Sequence, residues 1–169
     1  MIEAWFDGAC EPVNPGGHAA CGALVKVDGR TLLQKGIYIG HGPGLSNNVA
    51  EYAGCLQVLK YISQLPGNAV IRGDSKLVIM QLSRKRKSHG GLYRPLYFQA
   101  LQLADKMRHR LTFEWIPREE NAECDRLSKR VLLEKGLEFR IQPHDKDGRS
   151  DFRDLMNQLE RLRSEKGQR

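Results

Sequence analysis

Residues 47–74, "NNVAEYAGCLQVLKYISQLPGNAVIRGD", decide the fold. Apolar residues at Val49, Ala53, Leu56, Leu59 and Ile62 have the spacing of one buried helical face, which predicts a helix over residues 48–65. Pro66 and Gly67 stop it, and "AVIRG" then predicts a short strand running up to Asp74. A strand, a long helix and another strand form a crossover, so the strand ending at Asp7 and the one ending at Asp74 can lie parallel in one sheet. Sites in open α/β sheets form at the carboxyl ends of strands where the strand order reverses, the kind of position these two aspartates occupy. Glu51 also has a purely local reading. Asn48 followed three residues later by Glu51 has the form of a capping box, and an acidic group suits a helix N-terminus in any case.

The segments on either side fit this frame. "IEAWF", "HAACGALVKV" and "RTLLQKGIYIG" predict three strands, the last two joined by the turn signal Asp28-Gly29, which makes an antiparallel meander. After Asp74, a suitable N-cap, "SKLVIMQLS" opens a helix. "RKRKSHGG" reads as a loop or a frayed helix end, and "PLYFQALQLADKMRHR" resumes helical spacing with Pro95 in its first turn. "LTFEWIP" is a fifth strand, and "AECDRLSKRVLLEK" a last helix ending at Gly136. The predicted order is βββαβααβα. Beyond it, Phe152, Leu155, Met156, Leu159 and Leu162 form a helical stripe in an otherwise polar segment. The chain therefore divides into a domain over residues 1–135 and a C-terminal extension over residues 136–169, partly helical.

At 169 residues the chain suits one packed core. It contains no apolar run long enough to span a membrane, and "MIEAWFDGAC" lacks the basic-then-apolar pattern of a signal peptide, so the expected compartment is the cytoplasm. Cys10, Cys21, Cys55 and Cys124 form no C-x-x-C pair, which fits reduced thiols used in packing. The net charge of +7 is concentrated. Eight basic residues and one acidic residue lie between Arg84 and Arg110, and the rest of the chain is neutral. A neutral body with one basic segment is the footprint expected for a polyanionic partner, or else a solvated charged face. Tyr93, Tyr97 and Phe98 beside this segment suit either base stacking or the core.

Four blocks, "FDGACEPVNPGGHAACG", "SNNVAEYAG", "RGDSKLVIMQL" and "WIPREENAECDRLSKRV", resemble the motif blocks of the ribonuclease H type 1 family in order and approximate spacing, over residues 1–133. The resemblance implies the ribonuclease H-like α/β fold, a five-stranded mixed sheet with helices on both faces. It implies four catalytic and metal-binding carboxylates, Asp7, Glu51, Asp74 and Asp125. It also implies two magnesium ions, with manganese as an alternative, and cleavage of the RNA strand of an RNA/DNA hybrid to 5′-phosphate and 3′-hydroxyl ends. In that scheme Asp7 bridges both ions, Glu51 and Asp74 hold the one on the leaving-group side, and Asp125 holds the one that activates water. Such chemistry needs hard oxygen ligands, because a phosphodiester is anionic and repels a negative nucleophile.

For substrate contact the resemblance points to Asn14, Asn47 and backbone groups around Cys10 and Gly16, to Ser46 for a DNA phosphate, and to Lys76, where many relatives carry glutamine. Arg84, Lys85, Arg86 and Lys87 stand where the family's basic substrate-binding segment lies. Double-stranded RNA is a second candidate partner. The compact "PREEN" stretch resembles the archaeal and plant-type subgroup, which lacks a histidine-bearing loop before the last aspartate. Arg118, Glu119 and Glu120 are candidates to take over part of that histidine's role. Two other readings on the same scaffold are a catalytically silent hybrid or double-stranded RNA binder and a resolvase-like DNA nuclease.

Overall fold

The computed structural model describes residues 1–137, and the predicted helical stripe at residues 152–162 lies outside them. Three strands, β1 (Ile2–Glu11), β2 (His18–Val27) and β3 (Arg30–His41), form the meander. Helix α1 (Asn47–Ile62) leads to β4 (Ala69–Gly73), followed by α2 (Lys76–Leu82), α3 (Arg94–Lys106), β5 (Leu111–Trp115) and α4 (Ala122–Glu134). The strand order is β3-β2-β1-β4-β5. β1 is antiparallel to β2 and parallel to β4, and β4 is parallel to β5, so the predicted crossover is present. The β2–β3 hairpin turns on Asp28 (φ 48°) and Gly29 (φ 79°), both left-handed, as the Asp-Gly signal requires.

Strand alternation separates two layers. Ala4, Phe6, Ala23 and Val25 share one core cluster with Tyr52, Leu59 and Ile62 of α1, Val78 and Leu82 of α2, and Ala100 and Ala104 of α3. Neighbouring Gly22 faces the other way, towards α4, where a Cβ would lie 2.4 Å from the Cys124 carbonyl oxygen. Glycine at this position lets α4 close onto the sheet. All four cysteines are buried and none forms a disulfide, and burial pushes the Cys21 thiol up to about 12, which makes it an inert packing group. Among the described residues no helix is long and apolar enough to cross a membrane.

Both predicted helix caps need correction. α1 starts at Asn47 and is capped by Ser46, whose Oγ accepts from the Val49 N–H (3.2 Å), so Asn48 and Glu51 form no capping box. Glu51 is the fifth helical residue, past the first turn. α2 is capped by Ser75, whose Oγ accepts from the Val78 N–H (3.4 Å), and not by Asp74. In both cases a short hydroxyl side chain beside the helix start does the capping, which leaves the carboxylate to other contacts.

Candidate active site

Three of the four predicted carboxylates converge. Oxygens of Asp7 on β1, Glu51 on α1 and Asp74 just after β4 lie within 4.8 Å of one another. Backbone geometry makes the approach feasible. A Cβ on Gly8 would lie 2.2 Å from the Glu51 nitrogen, so only glycine lets α1 pass this close to β1. The Gly8 N–H in turn donates to the Glu51 carboxylate. The other Glu51 oxygen, Oε2, is buried and has no partner among the described residues.

Asp125 stands apart from this trio. Its carboxylate is held by Lys129 Nζ (2.7 Å to Oδ1, 2.8 Å to Oδ2) and by Arg118 Nη2 (3.1 Å). Lys129 is itself buried, at 5 % exposure. Asp125 is nonetheless close enough to be felt. Burial first, then the charges of Asp125 and Asp74, push the Asp7 carboxyl up to about 8. Glu51 is driven well above the carboxylate range by burial, then by Asp7 and Asp74. Carboxylates packed this way resist being charged together unless cations share the space. An all-oxygen donor set with one buried, unpartnered oxygen fits a hard divalent cation.

Two positioning groups escaped the sequence reading. Asn121 is buried at 1 % exposure, and its Nδ2 donates both to Asp74 Oδ1 (2.8 Å) and to the Phe6 carbonyl (2.8 Å). Ser128 Oγ donates to Asp7 Oδ2 at 2.6 Å. Asn121 reads locally as a cap before α4 but makes no capping bond, and Ser128 lies 121 residues from its partner, so local pattern signals neither role. Arg118 does reach Asp125, whereas Glu119 and Glu120 are exposed.

The predicted substrate contacts fall into two groups. Around the first turn, Asn14 Oδ1 accepts from the Asn47 N–H (2.9 Å), and the Gly16 N–H donates to the Leu45 carbonyl (2.8 Å). The Gly16 N–H thus ties the first turn to the segment before α1. Cys10 is buried with its thiol towards the Val13 carbonyl (3.3 Å), and Ser46 is occupied as the cap of α1. Near the carboxylates, Lys76 Nζ sits 4.7 Å over the Trp115 ring, whose Nε1 donates to the Asp74 carbonyl (3.0 Å). Arg84 pairs with Asp105 (2.6 Å), while Lys85, Arg86 and Lys87 are exposed on the turn after α2. Tyr93 is buried and stacks on Tyr52, whereas Phe98 is exposed.

A family model described as "reverse transcriptase-like" matches residues 6–131. The bifunctional protein Rv2228c of Mycobacterium tuberculosis is 40% identical over 123 residues, which are 70% of this chain and 32% of that protein. The chain thus spans about a third of the length of this curated relative. The solved N-terminal RNase H domain of the same protein is 34% identical, with a TM-score of 0.68, covering 76% of this chain and 95% of that one. LC11-RNase H1, solved in complex with an RNA/DNA hybrid and isolated from compost by a metagenomic approach, is 26% identical with a TM-score of 0.67. The match covers 76% of this chain and 94% of that one.

Proposed function

Since the chain belongs to the ribonuclease H type 1 family, within the reverse transcriptase-like group, we propose that it is an endonuclease that hydrolyses the RNA strand of RNA/DNA hybrids. The observation that carries this reading is the convergence of Asp7, Glu51 and Asp74, with one buried Glu51 oxygen left without a partner. These three residues, with Asp125 beside them, would hold two divalent cations, magnesium or manganese. Bound there, the cations supply an activated water, neutralise the phosphodiester and stabilise the departing oxygen, giving 5′-phosphate and 3′-hydroxyl ends. The solved hybrid complex of LC11-RNase H1 supports the choice of substrate.

The chain's own residues set the conditions for that chemistry. Ser128 and Asn121 orient Asp7 and Asp74 through hydrogen bonds, so their oxygens need no reorganisation when a ligand arrives. Lys129 and Arg118 offset part of the carboxylate charge that would otherwise repel a phosphate. Asn14, Asn47 and Lys76 contact the duplex near the site, and the exposed Lys85, Arg86 and Lys87 hold its backbone at a distance. The catalytic domain is residues 1–135, working in the cytoplasm.

The test offers an end-labelled RNA/DNA hybrid, double-stranded RNA, single-stranded RNA and duplex DNA, with and without magnesium or manganese, beside an Asp7→Asn control. Metal-dependent cleavage of RNA in the hybrid, absent in the control, is expected. Binding without cleavage would identify a silent binder, and cleavage of DNA a resolvase-like nuclease.

A further inference from the structure

The basic turn after α2 is fastened to the core by a buried polar network that catalysis does not use. Gln81 is 2 % exposed and Tyr52 is fully buried. The Tyr52 hydroxyl donates to Gln81 Oε1 at 2.5 Å, and Gln81 Nε2 donates to the Tyr93 hydroxyl at 3.2 Å and to the Lys87 carbonyl at 3.4 Å. Tyr52 and Tyr93 stack with ring centroids 5.2 Å apart and planes 11° apart, and Tyr97 meets Tyr52 edge-on at 5.9 Å. The Gln81 side chain thus engages its acceptor and both of its donor hydrogens. Two of those three partners, Lys87 and Tyr93, belong to the segment that carries the basic turn.

The backbone folds the turn back on the helix end. Arg84 adopts a left-handed conformation (φ 62°), and the Lys85 and Arg86 N–H groups both donate to the Met80 carbonyl, at 2.8 and 3.0 Å. The Arg84 guanidinium bonds to Asp105. Three charged side chains, Lys85, Arg86 and Lys87, are left facing solvent from one short, tied turn.

We infer that Gln81 is a positioning residue for substrate binding, fixing the basic turn to α1 one residue from Glu51. The inference rests on the reading of that turn as the hybrid-binding segment. An apolar side chain could pack at position 81 whether the turn were open or closed. A carboxamide is costly to bury without partners, so its burial favours the turn closed over it. Closing the turn in advance removes an ordering cost that would otherwise fall on substrate binding.

The experiment uses the full chain carrying Gln81→Met, Tyr93→Phe, or the triple change Lys85→Ala, Arg86→Ala and Lys87→Ala. Affinity for a fluorescent hybrid is measured in an Asp7→Asn background, and KM and kcat in the active background. Trypsin nicking of residues 84–87 and the melting temperature are followed alongside. Gln81→Met is expected to weaken hybrid binding about 3- to 10-fold, the scale of the two hydrogen bonds that tie Gln81 to Lys87 and Tyr93. It should raise KM in proportion, leave kcat within about twofold and speed nicking of the turn, without a matching fall in melting temperature. Tyr93→Phe, which removes one hydroxyl, should do the same more weakly and carries the test if Gln81→Met does not fold.

Wild-type affinity and nicking in both variants would overturn the inference, as would a fall in kcat at constant KM. If the triple change left affinity unaltered, the reading of the turn as a binding segment would fail, and this inference with it. If the triple change weakened binding and neither single variant did, only the role of Gln81 would be lost.

Discussion

Asp7 illustrates what clustering does to a single residue. Its carboxyl is pushed up to about 8 in the folded chain from an ordinary value of 3.8, by burial and by its acidic neighbours. Between those two values the folded state binds a proton that the unfolded state has released, so stability falls as pH rises through that window. Glu51 is shifted in the same direction. The metal-free protein is therefore expected to melt at progressively lower temperature from about pH 5 to about pH 8, while saturating magnesium or manganese raises the melting temperature most at the alkaline end. A scan in chelator and in metal across that range checks this, and a metal-free melting temperature that rose with pH would contradict it. A second residue-scale prediction concerns Asn121. Asn121→Ala removes the donor that orients Asp74 and is expected to lower kcat about 10- to 100-fold, with hybrid affinity nearly unchanged. Steady-state kinetics beside a binding assay separate the two effects. The convergence of Asp7, Glu51 and Asp74 was legible because each sits in a recognisable block. Asn121 and Ser128 were not, because their partners are brought close only by the closed fold.

At the scale of elements, the sequence located the strands and helices well and their first residues less well. β2 and β4 run as predicted, since a mostly apolar run marks the first, a short β-type run the second, and turn residues flank both. β1 continues to Glu11, well past the predicted "IEAWF", because it pairs with β2 along its whole length. The two helix starts were misread because each offers two polar residues in sequence, and only backbone geometry selects the hydroxyl as the cap. This difference can be measured. Ser46→Ala is expected to cost about 1 kcal/mol in urea unfolding, and Asn48→Ala only a few tenths. The reverse ranking would restore the capping box. Gly8 links element packing to the site. Gly8→Ala forces the backbone of α1 away from β1 and should destabilise the protein by about 1–3 kcal/mol or more. Because the displaced residue is Glu51, activity at temperatures where the variant remains folded should fall further than hybrid affinity. Equal losses of both would mean that the close approach matters only for stability.

Over the whole molecule, the net positive charge lies mostly in the described residues. Residues 1–137 hold 19 of the 27 basic side chains and 13 of the 20 acidic ones, and so most of the net positive charge. Within them the core cluster runs from Ile2 to Met107, with partly buried Leu111 and Phe113 packed against it, so the sheet and its helices bury their apolar faces on each other. The division of the chain into a domain and an extension was read from composition alone, and it makes a definite demand. A chain ending at Leu137 should unfold in one cooperative transition, with a melting temperature within a few degrees of the full chain, and should bind hybrid with the same salt dependence. The slope of log affinity against log salt counts the phosphates that basic residues neutralise, at about 0.7 to 0.9 per contact. Neutralising Lys85, Arg86 and Lys87 should therefore flatten the slope by about 2 to 3, in the full and shortened chains alike. A shortened chain that bound with a markedly flatter slope before any of these changes would assign hybrid contacts to residues 138–169. One that lost cooperative unfolding would extend the folding unit past residue 137.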